Sequence, residues 1–133
     1  MNAQEFELAV RELRQLQRRF FRCAKDDPDR EKAKMLMRDK EKEVLTVIEN
    51  VMAIRPKGKA AEGEREQFFL DVAVMLRRQK EWMKQGGGQW YMNPAKDAEK
   101  QVDKQLAKWD ERRKEEEKAR RAEMMKNQTS LSE

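Results

Sequence analysis

One polar residue interrupts each of two apolar helical stripes at the same place, and the stripes lie 62 positions apart. The first runs Phe6, Val10, Leu13, Gln17, Phe20 and Phe21; the second runs Phe68, Val72, Met75, Gln79, Trp82 and Met83. Steps of three and four residues put each set on one face of a helix. Glu41-Lys42-x-Val44 follows the first stripe, and Glu99-Lys100-x-Val102 follows the second at nearly the same distance. A single amphipathic hairpin leaves one apolar face in water, so two must pack together, within one chain or between chains. The pattern predicts an all-α fold: two tandem antiparallel helical hairpins forming a small four-helix bundle, with the last helix extended and highly charged. Gln17 and Gln79 are expected to face one another or a backbone group near the bundle centre. A buried amide there costs stability but fixes register.

Breakers and caps divide the chain. The bundle is expected over 1–109, with hairpin 1 at about 3–54 and hairpin 2 at about 62–109, and a charged helical extension over 110–133. Helices are predicted at about 3–25, 28–54, 62–85 and 94–120. Asp27 is placed as the cap of the second helix with Pro28 in its first turn, where the missing N–H is harmless. Arg55-Pro56-Lys57-Gly58 ends that helix. Gly86-Gly87-Gly88 ends the third, because glycine gives up the most backbone entropy in a helix. Asn93-Pro94 then opens the fourth. The expected core is Phe20, Phe21, Val44, Ile48, Val72, Met75, Trp82, Val102 and Leu106. Lys40 falls on the apolar stripe of the second helix, where its stem can lie on the core while the ammonium reaches out.

Leu, Ile, Val and Phe supply only 23 of 133 residues, a sparse core. The net charge of only +5, with nine methionines and three tryptophans, argues for an ordered, methionine-rich interior rather than disorder. A lone Cys23 allows no intrachain disulfide, and with no histidine there is neither a zinc cluster nor a Cys–His nucleophile. Carboxylates are abundant, yet no pairing singles out acid–base catalysis or a metal site. The chain is therefore read as not an enzyme, with no cofactor, no metal and no small-molecule substrate. It carries no signal segment and no membrane span, which points to the cytoplasm.

Two features suggest where a partner could bind. Arg11, Arg14, Arg18, Arg22 and Lys25 fall within roughly 80° of one another on the first helix, away from its apolar stripe. Such a face can track phosphates, or it can pair with acids on a neighbouring helix. Trp90 and Tyr91, after the glycines, can anchor a partner or close the end of the bundle.

The run Phe6-x3-Val10-x2-Leu13-Arg14-x2-Gln17-Arg18-x-Phe20-Phe21, with Lys40-Glu41-Lys42-x-Val44, resembles small uncharacterised helical-hairpin proteins of bacteriophages and integrated mobile elements. The resemblance covers about 45 N-terminal residues, with an echo over 68–102. It implies a phage or mobile-element origin and assigns no activity and no functional residue. The expected function is a non-enzymatic protein-interaction or oligomerisation module, an accessory or regulatory protein that binds a protein partner or self-associates. The alternative is a nucleic-acid-binding protein using the basic face of the first helix.

Overall fold

A computed structural model describes residues 1–86 and 89–131, with side chains described for 1–86 and 92–127. Its elements are α1 (Ala3–Arg22), α2 (Arg30–Ile54), α3 (Glu64–Lys84) and α4 (Gln89–Leu131), with no strand among the described residues. This is the all-α four-helix arrangement, with α1 packed on α2 and α3 on α4. The chain comprises two compact units, Met1–Asp103 and Lys104–Glu133.

In the first unit, local chemistry sets most helix ends. The Asn2 side chain accepts the Glu5 N–H at 2.8 Å and caps α1. Between α1 and α2, Asp27 folds onto the Asp29 N–H at 2.9 Å, so Asp29, not Asp27, occupies the cap position of α2. Pro28 consequently lies in the preceding turn rather than in the first helical turn. The side chain of Asp27 competes for a backbone donor and delays the helix by two residues. Arg55 clasps the α2–α3 linker: it reaches Glu66 Oε1 at 2.7 Å and donates to the Lys59 carbonyl at 2.8 Å. Gly58 and Gly63 take φ of 76° and 88°, a conformation L side chains resist.

α3 stops at Lys84, and Gly86 turns with φ 76°; Gly87 and Gly88 lie outside the described residues. α4 differs most from expectation. It begins at Gln89 and runs through Pro94, whose missing N–H removes one intrahelical bond without halting the helix. It also continues to Leu131, since nothing from Ala95 to Leu131 is glycine or proline.

The repeat period becomes a contact register. α1 and α3 run parallel: Phe6 meets Phe68 edge-on at 6.0 Å, Gln17 bonds to Gln79, and Phe21 lies 6.2 Å from Trp82. α2 runs antiparallel to α1, with Lys40 on Glu12 at 2.8 Å and Arg30 over the Phe20 ring at 4.7 Å. Lys40 also reaches Glu43 at 3.0 Å, and those two carboxylates raise its pKa above the usual lysine value. Val10, Leu13, Val44, Phe68, Val72, Met75 and Val102 are completely buried. Phe20 and Ile48 join them, as expected. Phe21 and Trp82 do not: Phe21 is 57% exposed and Trp82 only half-buried.

In the second unit, Leu106 and Trp109 are buried and every side chain from 111 to 127 is exposed. Its helix carries i,i+3 and i,i+4 ion pairs, Arg113 with Asp110 at 3.6 Å and Arg121 with Glu117 at 2.7 Å.

Candidate functional site: an open trough above a buried amide pair

The two glutamines bond reciprocally. Gln17 Nε2 donates to Gln79 Oε1 at 3.0 Å, and Gln79 Nε2 donates back to Gln17 Oε1 at 3.2 Å. Arg14 Nη1 also donates to Gln17 Oε1 at 2.6 Å, and Gln79 Nε2 donates to Glu99 Oε1 at 2.8 Å. Arg14 grips Asp103 with a two-pronged contact of 2.8 and 2.9 Å and approaches Glu99 at 3.6 Å. Arg14, Gln17 and Gln79 are all buried, so this network joins α1, α3 and α4 in an apolar setting where its geometry is enforced. Burial by itself would lower the Arg14 pKa and raise that of Asp103. Their mutual hydrogen bonds and charges win in both cases: Arg14 is held above its usual value and Asp103, which also meets Arg18, below its own.

Above the amide pair lies a trough of about 510 Å³. α1 contributes Gln17, Phe20 and Phe21, and α3 contributes Gln79, Lys80, Trp82 and Met83. α2 forms the opposite wall from Met37 to Leu45, and Glu99 of α4 closes the floor. The α1 and α3 residues correspond at the repeat offset: Phe20 to Trp82, Phe21 to Met83 and Gln17 to Gln79. Phe21 and Met83, at 57% and 62% exposure, are apolar side chains left in water at its mouth.

Trp82 Nε1–H is buried and unpaired, a condition that native structures rarely tolerate without a reason. Glu41 corresponds in the repeat to Glu99, whereas the Gln17 side-chain nitrogen donates to Gln79. Burial raises the pKa of Glu41, only partly offset by Arg38 and Lys80.

The basic face of α1 is distributed differently from expectation. Arg14 is 6% exposed rather than solvated, because Asp103 and Glu99 of α4 draw it inward. Arg18 also binds Asp103, at 2.9 Å, and Arg11 binds Glu7 at 2.9 Å. Arg22 and Lys25, with Arg19, are exposed and have no ion pair among the described residues. Arg18, Arg19 and Arg22 line an open cleft of about 410 Å³ with Gln15, Cys23 and Asp27. The side chains of Trp90 and Tyr91, the other candidates, lie outside the described residues. The trough was not foreseen from the sequence, although a signal was present: Phe21 and Met83 each add a second large apolar residue directly after an aromatic of the stripe, widening it past what one helical interface covers.

Among the described residues no helix is long and apolar enough to cross a membrane. Comparisons with protein families, with characterised proteins and with solved structures found no match.

Proposed function

We propose that this chain is a non-enzymatic protein-interaction module that seats an apolar helical segment of a partner protein in the trough between α2 and α3. The observation that carries this reading is the trough itself, with its aromatic and methionine walls and with Phe21 and Met83 exposed at its mouth. Aromatic and methionine side chains in a concave site are common anchors of protein recognition, and a groove between helices suits an amphipathic helix. From Met37 to Leu45 the α2 wall is about two helical turns long, at about 1.5 Å per residue, which matches a short helical anchor. An accessory or regulatory role in the cytoplasm of a phage or mobile-element host is the setting we propose, on the N-terminal resemblance alone.

The nucleic-acid reading has less support, because three of the five cations proposed for it are already bonded to carboxylates. A comparative capture from the native host tests the proposal, with three forms of the immobilised full chain. The forms are wild type, Phe21→Asp/Met83→Asp in the trough, and Arg22→Glu/Lys25→Glu away from it. A partner held by the first and third but lost by the second is the expected result. The same proteins on all three forms would overturn the trough as the docking site.

A further inference from the structure

The walls of the trough are apolar, but its rim is charged, and those charges are unequally committed. Arg38 and Lys42 stand one helical turn apart on the α2 side, and Lys80 stands on the α3 side. All three are exposed, and none forms an ion pair among the described residues. Of the acids that line the trough, Glu99 is already engaged: it accepts from Gln79 at 2.8 Å and lies 3.6 Å from Arg14. Glu41 is half-buried beneath the α2 rim, where it feels Arg38 and Lys80 and offsets part of their charge. Asp39 is exposed and lies about 180° around α2 from buried Ile48, turned furthest from the bundle. Arg38 and Lys42, at about 80° and about 120° from Ile48, border the opening itself. An occupant of the trough therefore meets exposed cations on both sides.

Resting on the docking reading above, we infer that the occupant is an amphipathic helix of another protein whose apolar stripe is bordered on both sides by aspartate or glutamate. Its apolar residues lie against Phe21, Leu45 and Met83, and its acids reach Arg38 and Lys42 on one side and Lys80 on the other. The walls supply affinity and the rim supplies the choice, because a basic border would face like charge. A second copy fits less well, since it brings a further net charge of +5 toward a cationic rim. Exposed ion pairs are individually weak and are screened by salt. The rim should therefore separate acidic from basic borders by about tenfold in affinity without deciding binding alone.

The test uses the full chain and three synthetic helical peptides with one leucine stripe at i, i+3, i+4, i+7 and i+11. The positions bordering the stripe are all Glu, all Gln or all Lys. Fluorescence anisotropy at about 50 and about 150 mM salt reads affinity. The Glu peptide should bind about tenfold more tightly than the Lys peptide at the lower salt, with the Gln peptide between them and the spread narrowing at the higher salt. Arg38→Gln/Lys42→Gln/Lys80→Gln should erase the order while circular dichroism stays helical. Arg19→Gln/Arg22→Gln/Lys25→Gln removes the same charge elsewhere and should keep it. All three peptides should fail to bind Phe21→Asp/Met83→Asp. Equal binding of the peptides overturns the acidic border and leaves the docking reading standing. So does an order that survives the rim variant or is lost equally in the α1 variant. A Glu preference that persists in Phe21→Asp/Met83→Asp shows attraction by charge away from the trough and overturns the inference. Failure of every peptide, with a trough-dependent partner still captured from the host, overturns the helical occupant alone. A wild-type chain that sediments as a dimer and becomes monomeric in Phe21→Asp/Met83→Asp overturns the choice of another protein over a second copy.

Discussion

Arg14 shows how much one side chain can carry in a small bundle. It lies in the interior, bonded to Asp103 and Gln17, and the removal of one partner from a buried ion pair strands the other. Arg14→Ala should therefore destabilise the fold by about 3 kcal/mol, measured by urea denaturation. The glutamine pair should behave cooperatively. Gln17→Leu or Gln79→Leu alone leaves an unsatisfied amide, whereas the double variant removes both. We expect the double change to cost less than the sum of the singles, with a coupling of about 1 kcal/mol. The titration behaviour has two opposite signs. Asp103 has a depressed folded-state pKa, so its contribution is present above its unfolded pKa and is lost as pH falls below about 4. Glu41 has a raised pKa, so its burden is absent in acid and appears as pH rises through the folded value. Glu41→Gln should accordingly raise the melting temperature at pH 7 and leave it nearly unchanged at pH 3.5. Asp103→Asn should lower stability at pH 7 and flatten the acid limb of the pH profile.

Helices impose a sharper contrast on neighbours. Phe20 and Phe21 are adjacent, yet a helical step of about 100° puts one in the core and the other at the trough mouth. Phe20→Ala should cost about 3 kcal/mol, and Phe21→Ala less than about 1 kcal/mol, in the same denaturation assay. Equal losses would show that Phe21 is a core residue after all. That pair also marks the limit of reading this chain as a string. The meeting of Gln17 with Gln79 was legible, as one of two expected partners, because the two interrupting glutamines share one stripe position and a buried amide needs a matching group. The hairpins were legible from Asp-Asp-Pro and the Pro-Lys-Gly break. Boundaries slipped where competing local bonds decide, as at Asp27, and where helix propensity overrode a proline, as at Pro94. The site was hidden for a different reason. Periodicity reports which residues share a face, but not whether a neighbouring helix closes over that face. Phe21, Trp82 and Met83 fit a core stripe as well as they fit the rim of an open trough. The burial of Arg14 was equally invisible, since it depends on Asp103 lying 89 positions away.

On the scale of the molecule, charge is arranged to hold the helices together more than to attract a polyanion. Net charge is +5, but the cations nearest the proposed phosphate-binding face are engaged with Glu7, Glu99 and Asp103. Charge reversal therefore distinguishes the two functional readings by what fails. Arg11→Glu, Arg14→Glu and Arg18→Glu together place three acids against those carboxylates, one of them at a buried position, and should unfold the bundle. Arg19→Glu, Arg22→Glu and Lys25→Glu change exposed groups with no ion pair among the described residues, and should leave the melting temperature within a few degrees. If the protein bound nucleic acid through α1, this second variant, still folded, would lose an affinity that the wild type shows and that falls steeply between about 50 and 200 mM salt. We expect instead that the wild type has no sub-micromolar affinity for DNA or RNA at about 150 mM salt, and that the second variant captures the same partner from the host as the wild type. A salt-sensitive, sub-micromolar shift abolished by the second variant would move the functional surface from the trough to the end of α1.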